Sequence, residues 1–140
     1  MRVSITSGPV SEAERLLLEE EPRKRERQRV KRKAMTLIVS AARNPNAREV
    51  QRILNGELTP FTIMHVVELI EADAGAFKAL GVARKQLGRL TGSINNRKVY
   101  GPSARHMRER NPPPNPMQLD EAEAFIRDVA NRWFERIARV

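Results

Sequence analysis

With 140 residues, 26 lysines and arginines against 17 aspartates and glutamates, and no cysteine, the chain has room for one small core and cannot form a disulfide or a thiolate metal site. Its net charge of +9 favours a polyanionic partner, nucleic acid ahead of an anionic membrane surface. The longest apolar run, residues 34–42, is broken by Thr36 and Ser40 and is far too short to span a bilayer. No secretory leader fits the start, so a cytoplasmic protein, or one held within a virion or other assembly, is expected.

The positive charge is concentrated in two blocks. Residues 1–33 hold 10 cations against 6 acids and residues 84–110 hold 8 against 1, whereas 34–83 and 111–140 each hold 4 against 5.

Residues 1–10 have no helical period and contain Gly8-Pro9. Ser11 and Glu14 have capping-box spacing, and Leu16 to Leu18 begin a short helix that Pro22 should interrupt or kink. Then come Arg23, Lys24, Arg25, Arg27, Arg29, Lys31, Arg32 and Lys33, with Glu26 as the one acid among them. Such a run repels itself in water and frays, and it can become helical along a phosphate backbone. Residues 1–33 therefore read as a basic, partly disordered arm that neutralises phosphates without reading sequence. A solubilising tail is the plainer alternative.

Residues 34–110 read as a helical core. Met35, Leu37, Ile38 and Val39 should carry one helix inward as far as Asn44-Pro45. Asn46, with Glu49 three residues on, should cap a second helix bearing Val50, Ile53 and Leu54, which Asn55-Gly56 stops. Thr59-Pro60 opens a third, whose Phe61, Met64, Val67, Leu69 and Ile70 make it the best core candidate. His65 with Glu68 on that helix falls short of the three or four ligands a metal site needs. Neither a glycine-rich phosphate loop nor a nucleophile with its base is found, so no metal, cofactor or catalytic residue is expected and the chain reads as a binding protein, not an enzyme.

Asp73 can cap the next stretch, AFKALGVARKQLGRLTG, Ala76 to Gly92. Ala76, Ala79, Leu80, Val82, Leu87 and Leu90 keep helical spacing on either side of Gly81, so two short helices joined at Leu80-Gly81-Val82 can each turn one face inward. The run resembles the DNA-binding helix-turn-helix of Cro and phage-repressor regulators, in which a leucine-glycine-valine turn precedes the recognition helix. It covers 17 of the 140 residues. The resemblance implies that Arg84, Lys85, Gln86 and Arg89 face the major groove of duplex DNA, Arg84 reading guanine and Gln86 adenine. An ordinary helical hairpin with a solvated basic face is the alternative.

Beyond a turn at Asn95-Asn96, Arg97 and Lys98 should lie on the flanking phosphates, with Val99-Tyr100 as a brief extended piece. Ser103 should cap a short basic helix carrying Arg105, His106 and Arg108. Residues 111–118 begin with Asn-Pro-Pro-Pro-Asn-Pro, a stiff spacer and the clearest boundary in the chain. Residues 119–140 form a last helix capped by Asp120, in which Phe125, Val129, Trp133 and Ile137 recur every four residues, flanked by Ile126, Ala130 and Phe134. That face must be buried on the core or on another molecule, and a symmetric contact between copies, or with a partner protein, is expected.

The fold expected is all-α: a small helical domain with a central helix-turn-helix, a basic N-terminal arm and a C-terminal amphipathic helix behind a proline-rich spacer. The function expected is nucleic-acid binding, DNA more than RNA, as a regulator or the DNA-recognition subunit of a phage-type packaging machine. Two alternatives stand beside it. One is a non-catalytic structural protein of a nucleic-acid-containing assembly, such as a virion or ribosome; the other is an accessory subunit or inhibitor of a nucleic-acid enzyme.

Overall fold

The structure, a computed structural model, describes residues 8–105 and 111–139. Among these the regular elements are α1 (Glu12–Arg43), α2 (Pro45–Leu54), α3 (Pro60–Glu71), α4 (Ala76–Ala79), α5 (Arg84–Ile94), α6 (Arg97–Tyr100), a 3-10 turn (Gly101–Ser103) and α7 (Leu119–Arg139). The fold is all-α. None of these helices is long and apolar enough to cross a membrane.

The chain divides between Met35 and Thr36. In the first unit, Ser11 and Glu14 form the expected capping box, Ser11 Oγ accepting from Glu14 N at 3.2 Å and Glu14 Oε2 from Ser11 N at 3.1 Å. The helix then runs unbroken through Pro22, where an interruption was expected. Proline removes one backbone hydrogen bond and crowds the preceding turn, at a cost of about 3 kcal/mol. Straight-chain residues with high helix propensity surround it, and Arg25–Glu21 and Arg29–Glu26 pair along the helix. Every described residue up to Met35 is exposed.

The second unit is built around α3 and α7. Asn44, not Asn46, caps α2: its Oδ1 accepts from Asn46 N (2.9 Å) and Ala47 N (3.3 Å), and Pro45 takes the first helical position, where its missing N–H costs nothing. Thr59 and Thr62 cap α3 reciprocally, and Leu58 and Ile63, at the two staple positions, are both in the core. The buried face of α3 is Ile63, Val66, Val67 and Ile70; Phe61, expected inside, is 58% exposed because it leaves the helix on the opposite side. Ile38 is likewise exposed, and Leu37 alone of the four expected α1 residues packs on the cluster.

α7 packs on α3 and α2 through Ala122, Ile126, Val129, Ala130, Trp133 and Phe134, all buried within the single chain. This corrects the oligomerisation reading of Val129 and Trp133. Val129 and Trp133 are 0% exposed and therefore present no surface to a partner, while Phe125 and Ile137 sit half-buried at the rim of the same core. The helical phase explains the error, since the buried stripe centres on Ile126, Ala130 and Trp133 and leaves Phe125 and Ile137 at its edges. Trp133 Nε1 donates to Asp73 Oδ2 at 2.9 Å, which takes up the carboxylate expected to cap α4; Gly75, at φ 76°, occupies that N-cap position.

Arginines hold the helix ends. Arg43 donates to Ile137 O and Ala138 O, Arg127 to Leu54 O, and Arg132 to Leu80 O at 2.7 Å. Each satisfies carbonyls at the end of another helix that no amide reaches.

Candidate nucleic-acid interface

α4, the turn and α5 lie where the helix-turn-helix was expected. Gly81 has φ 70°, a left-handed conformation that glycine adopts without strain, and its turn delivers Val82 to the core. α4 is a single turn of four residues. α5 starts at Arg84 as expected but continues past Thr91-Gly92 to Ile94.

Leu90, Ser93 and Ile94 bury one side of α5. At 3.6 residues per turn the outer ridge is then Arg84, Lys85, Gly88, Thr91 and Gly92. Gln86, two residues after Arg84, is roughly 200° around the helix from it. A groove that receives one of these side chains does not receive the other, so the paired reading of guanine and adenine by Arg84 and Gln86 does not follow from their placement.

The cations of this region fall into two sets. Arg84, Lys85, Arg97 and Lys98 are exposed and make no hydrogen bond or ion pair through their side chains among the described residues. Arg89 is engaged: its two Nη atoms hold both carboxylate oxygens of Glu121 at 2.6 and 2.9 Å, and its Nε donates to Asn115 O. Arg105 is also engaged, with Glu68 at 2.8 Å. Both are therefore struts between elements, a correction to their reading as DNA contacts. Arg108 and His106 lie outside the described residues. On α1, Arg25 and Arg29 have local acidic partners, while Arg23, Lys24, Arg27, Lys31, Arg32 and Lys33 are exposed and unpaired among the described residues. His65 is exposed on α3, and among the described residues no three histidine, aspartate or glutamate side chains gather as metal ligands.

Arg97 and Lys98 open α6, which is helical where an extended piece was expected, because Asn96 accepts from Lys98 N at 2.8 Å and caps it. The proline-rich segment is not a free spacer. Pro113 packs on Gly92, where an added Cβ would lie 3.6 Å from its Cγ. Met117 is buried, its N–H donating to Ser93 Oγ and its carbonyl accepting from Tyr100 Oη, each at 2.8 Å. Burial, helped by Asp120 and Glu121, pushes the Tyr100 phenol above its ordinary pKa, which keeps it a donor. Asn115, at φ 54°, turns its carbonyl to Arg89. This strap lies along α5 and leaves the first turn, Arg84 to Gly88, as the open part of the outer ridge.

Sequence reasoning missed the strap and Ser93, whose hydroxyl donates to Arg89 O at 2.7 Å while accepting from Met117. The Gly88/Gly92 spacing was a signal for close backbone approach that could have found it. Comparison with family models, curated proteins and solved structures returns no match.

Proposed function

We propose that this is a nucleic-acid-binding protein without catalytic activity, with duplex DNA as its partner ahead of RNA, acting as a small regulator or as the recognition subunit of a larger machine. The observation that carries the reading is the division of the cations around α5. Arg84 and Lys85 at its start, and Arg97 and Lys98 just beyond its end, are the ones left free among the described residues. α5, eleven residues at 1.5 Å rise, is roughly 16 Å long, comparable with a major groove about 12 Å wide, and the two pairs stand at its opposite ends. In this reading Arg84 touches a base edge, and Arg97 and Lys98 hold phosphates. The basic stretch of α1 adds affinity without sequence preference, since its eight cations have no aromatic side chain among them.

A structural role in a nucleic-acid-containing assembly has its own support. Leu16, Leu17 and Leu18 are 57%, 62% and 65% exposed on a helix whose described residues up to Met35 are all exposed. A helix of that kind gains its stability from a partner.

The test is a salt titration of binding to duplex DNA, single-stranded DNA and RNA of equal length. Tightest binding to duplex, falling steeply with salt, is the expected result. Equal or tighter binding to RNA would overturn the duplex preference, and a flat salt dependence would overturn phosphate contact altogether.

A further inference from the structure

Between α5 and the strap lies a cleft of about 320 Å3, walled by Gly88, Thr91, Gly92, Asn95, Asn111 and Pro113. It sits at the small end of the size range of ligand pockets, roughly 300–1,000 Å3, and suits a single ring system. Its shape follows from residue type. Two glycines one helical turn apart expose bare backbone on one wall, and among the described residues nothing beyond the adjoining backbone of α5 and the glycine's chain neighbours lies within 4 Å of where a Gly88 Cβ would stand. The proline ring of Pro113 supplies an apolar face at the side.

The polar groups among the described residues are the amides of Asn95, Asn96 and Asn111 and the Thr91 hydroxyl, of which Asn96 Oδ1 already accepts from Lys98 N and Thr91 Oγ1 donates to Gly88 O. Asn95 Oδ1 is buried and has no hydrogen-bond partner among the described residues, an unfinished acceptor of a kind that native proteins seldom leave. The two ends of an asparagine amide exchange places on a half-turn about its terminal torsion, so the amide can present either its oxygen or its nitrogen to the cleft. A side-chain amide matches the adjacent donor and acceptor on a nucleobase edge, adenine above all. The free cations flank the cleft along the chain, Arg84 and Lys85 one turn before Gly88 and Arg97 and Lys98 just after Asn95.

We propose that this cleft takes one unstacked nucleobase bearing an exocyclic amino group, drawn from a single strand or extruded from a duplex, while the flanking cations hold its phosphates. The proposal rests on the nucleic-acid reading and adds a site to it. Its plain competitor is a cleft that holds only water.

The experiment uses the full chain and oligonucleotides carrying one 2-aminopurine, whose fluorescence rises when it leaves the base stack. The probe is placed in single-stranded DNA, in single-stranded RNA, in a one-nucleotide bulge and fully paired in a duplex, with the free riboside as a fifth arm. Anisotropy of an end label reports binding separately. Gly88→Leu sets a branched side chain on the cleft wall, where an added Cβ meets no other element within 4 Å, and Arg97→Ala weakens phosphate contact while leaving the cleft open.

The expected result is a several-fold fluorescence rise for the strand and bulge probes on the parent protein, abolished by Gly88→Leu at saturating protein. Arg97→Ala should weaken binding to every oligonucleotide yet keep the rise at saturation. Binding without a rise, or the same rise with Gly88→Leu, overturns the cleft proposal and leaves the nucleic-acid reading standing. Tighter binding to strands than to duplex, with a rise that Gly88→Leu abolishes, overturns the duplex preference and supports the cleft. No binding to any oligonucleotide and no response of the riboside overturns both.

Discussion

The basic stretch of α1 and the basic stretch of α5 and α6 look alike as sequence and differ in what their arginines do. On α1 the cations are solvated, and the two with partners find them three or four residues away on the same helix, at exposed positions where such pairs contribute little. In the helical unit Arg89 and Arg105 reach across 32 and 37 residues of sequence to carboxylates, and Arg43, Arg127 and Arg132 close helix ends. Positive charge in one region is available surface; in the other it is divided between surface and scaffold. Counting cations cannot make that division, because it depends on which carbonyls and carboxylates the fold brings near.

The largest expected effect concerns the scaffold itself. Trp133→Ala should lose about 3–5 kcal/mol of stability in chemical denaturation, because it removes a fully buried ring and leaves Asp73 without its donor. Phe125→Ala, at the rim, should cost well under half of that. If instead Trp133→Ala changed the mass in solution and left the denaturation midpoint alone, α7 would be an intermolecular surface after all.

On the α1 side, Pro22→Ala should raise the helix content measured by circular dichroism, since it restores one backbone hydrogen bond and relieves a local cost of about 3 kcal/mol. No gain in helix content would show that Pro22 does not limit the helix of the arm in water.

Arg89→Ala should destabilise the helical unit by about 1–3 kcal/mol through loss of the bidentate pair and the bond to Asn115, whereas Arg84→Ala should stay within about 0.5 kcal/mol. Equal melting temperatures for the two variants would erase the distinction between engaged and free cations.

Smallest is a pH effect on α2. The Arg52 guanidinium hydrogen-bonded to Glu49 holds that carboxyl below its ordinary pKa. A depressed carboxyl contributes stability above its unfolded pKa, near 4.3, and loses it as the pH falls through the lower folded value. The melting-temperature difference between the parent and Glu49→Gln should therefore be small at pH 7 and vanish in acid. A difference that grew on acidification would have the wrong sign.

Much of the fold was legible in the sequence because it rests on local rules. Ser11 with Glu14, Thr59-Pro60 and Leu80-Gly81-Val82 specify their caps and turn within four residues, and each is found where expected. What was not legible depends on distant partners. Nothing near Asp73 in sequence announces Trp133, nothing near Arg89 announces Glu121, and the strap's prolines read as a spacer because their packing surface, Gly92, is contributed by another element. The α7 face was recognised as needing burial, and its partner is the chain's own α3. Of the candidate site, the cations were legible by type and their availability was not.

The most direct test of the central claim, that the cations left free around α5 are the nucleic-acid contacts and the engaged ones are scaffold, is the salt slope of duplex-DNA binding across four single variants. Arg97→Ala and Lys98→Ala should each lower the slope of log affinity against log salt by about 0.9, the value of one lost phosphate contact, while Arg89→Ala and Arg105→Ala, measured well below their melting temperatures, should leave it unchanged. A slope that falls equally in all four, or in none, would contradict the account.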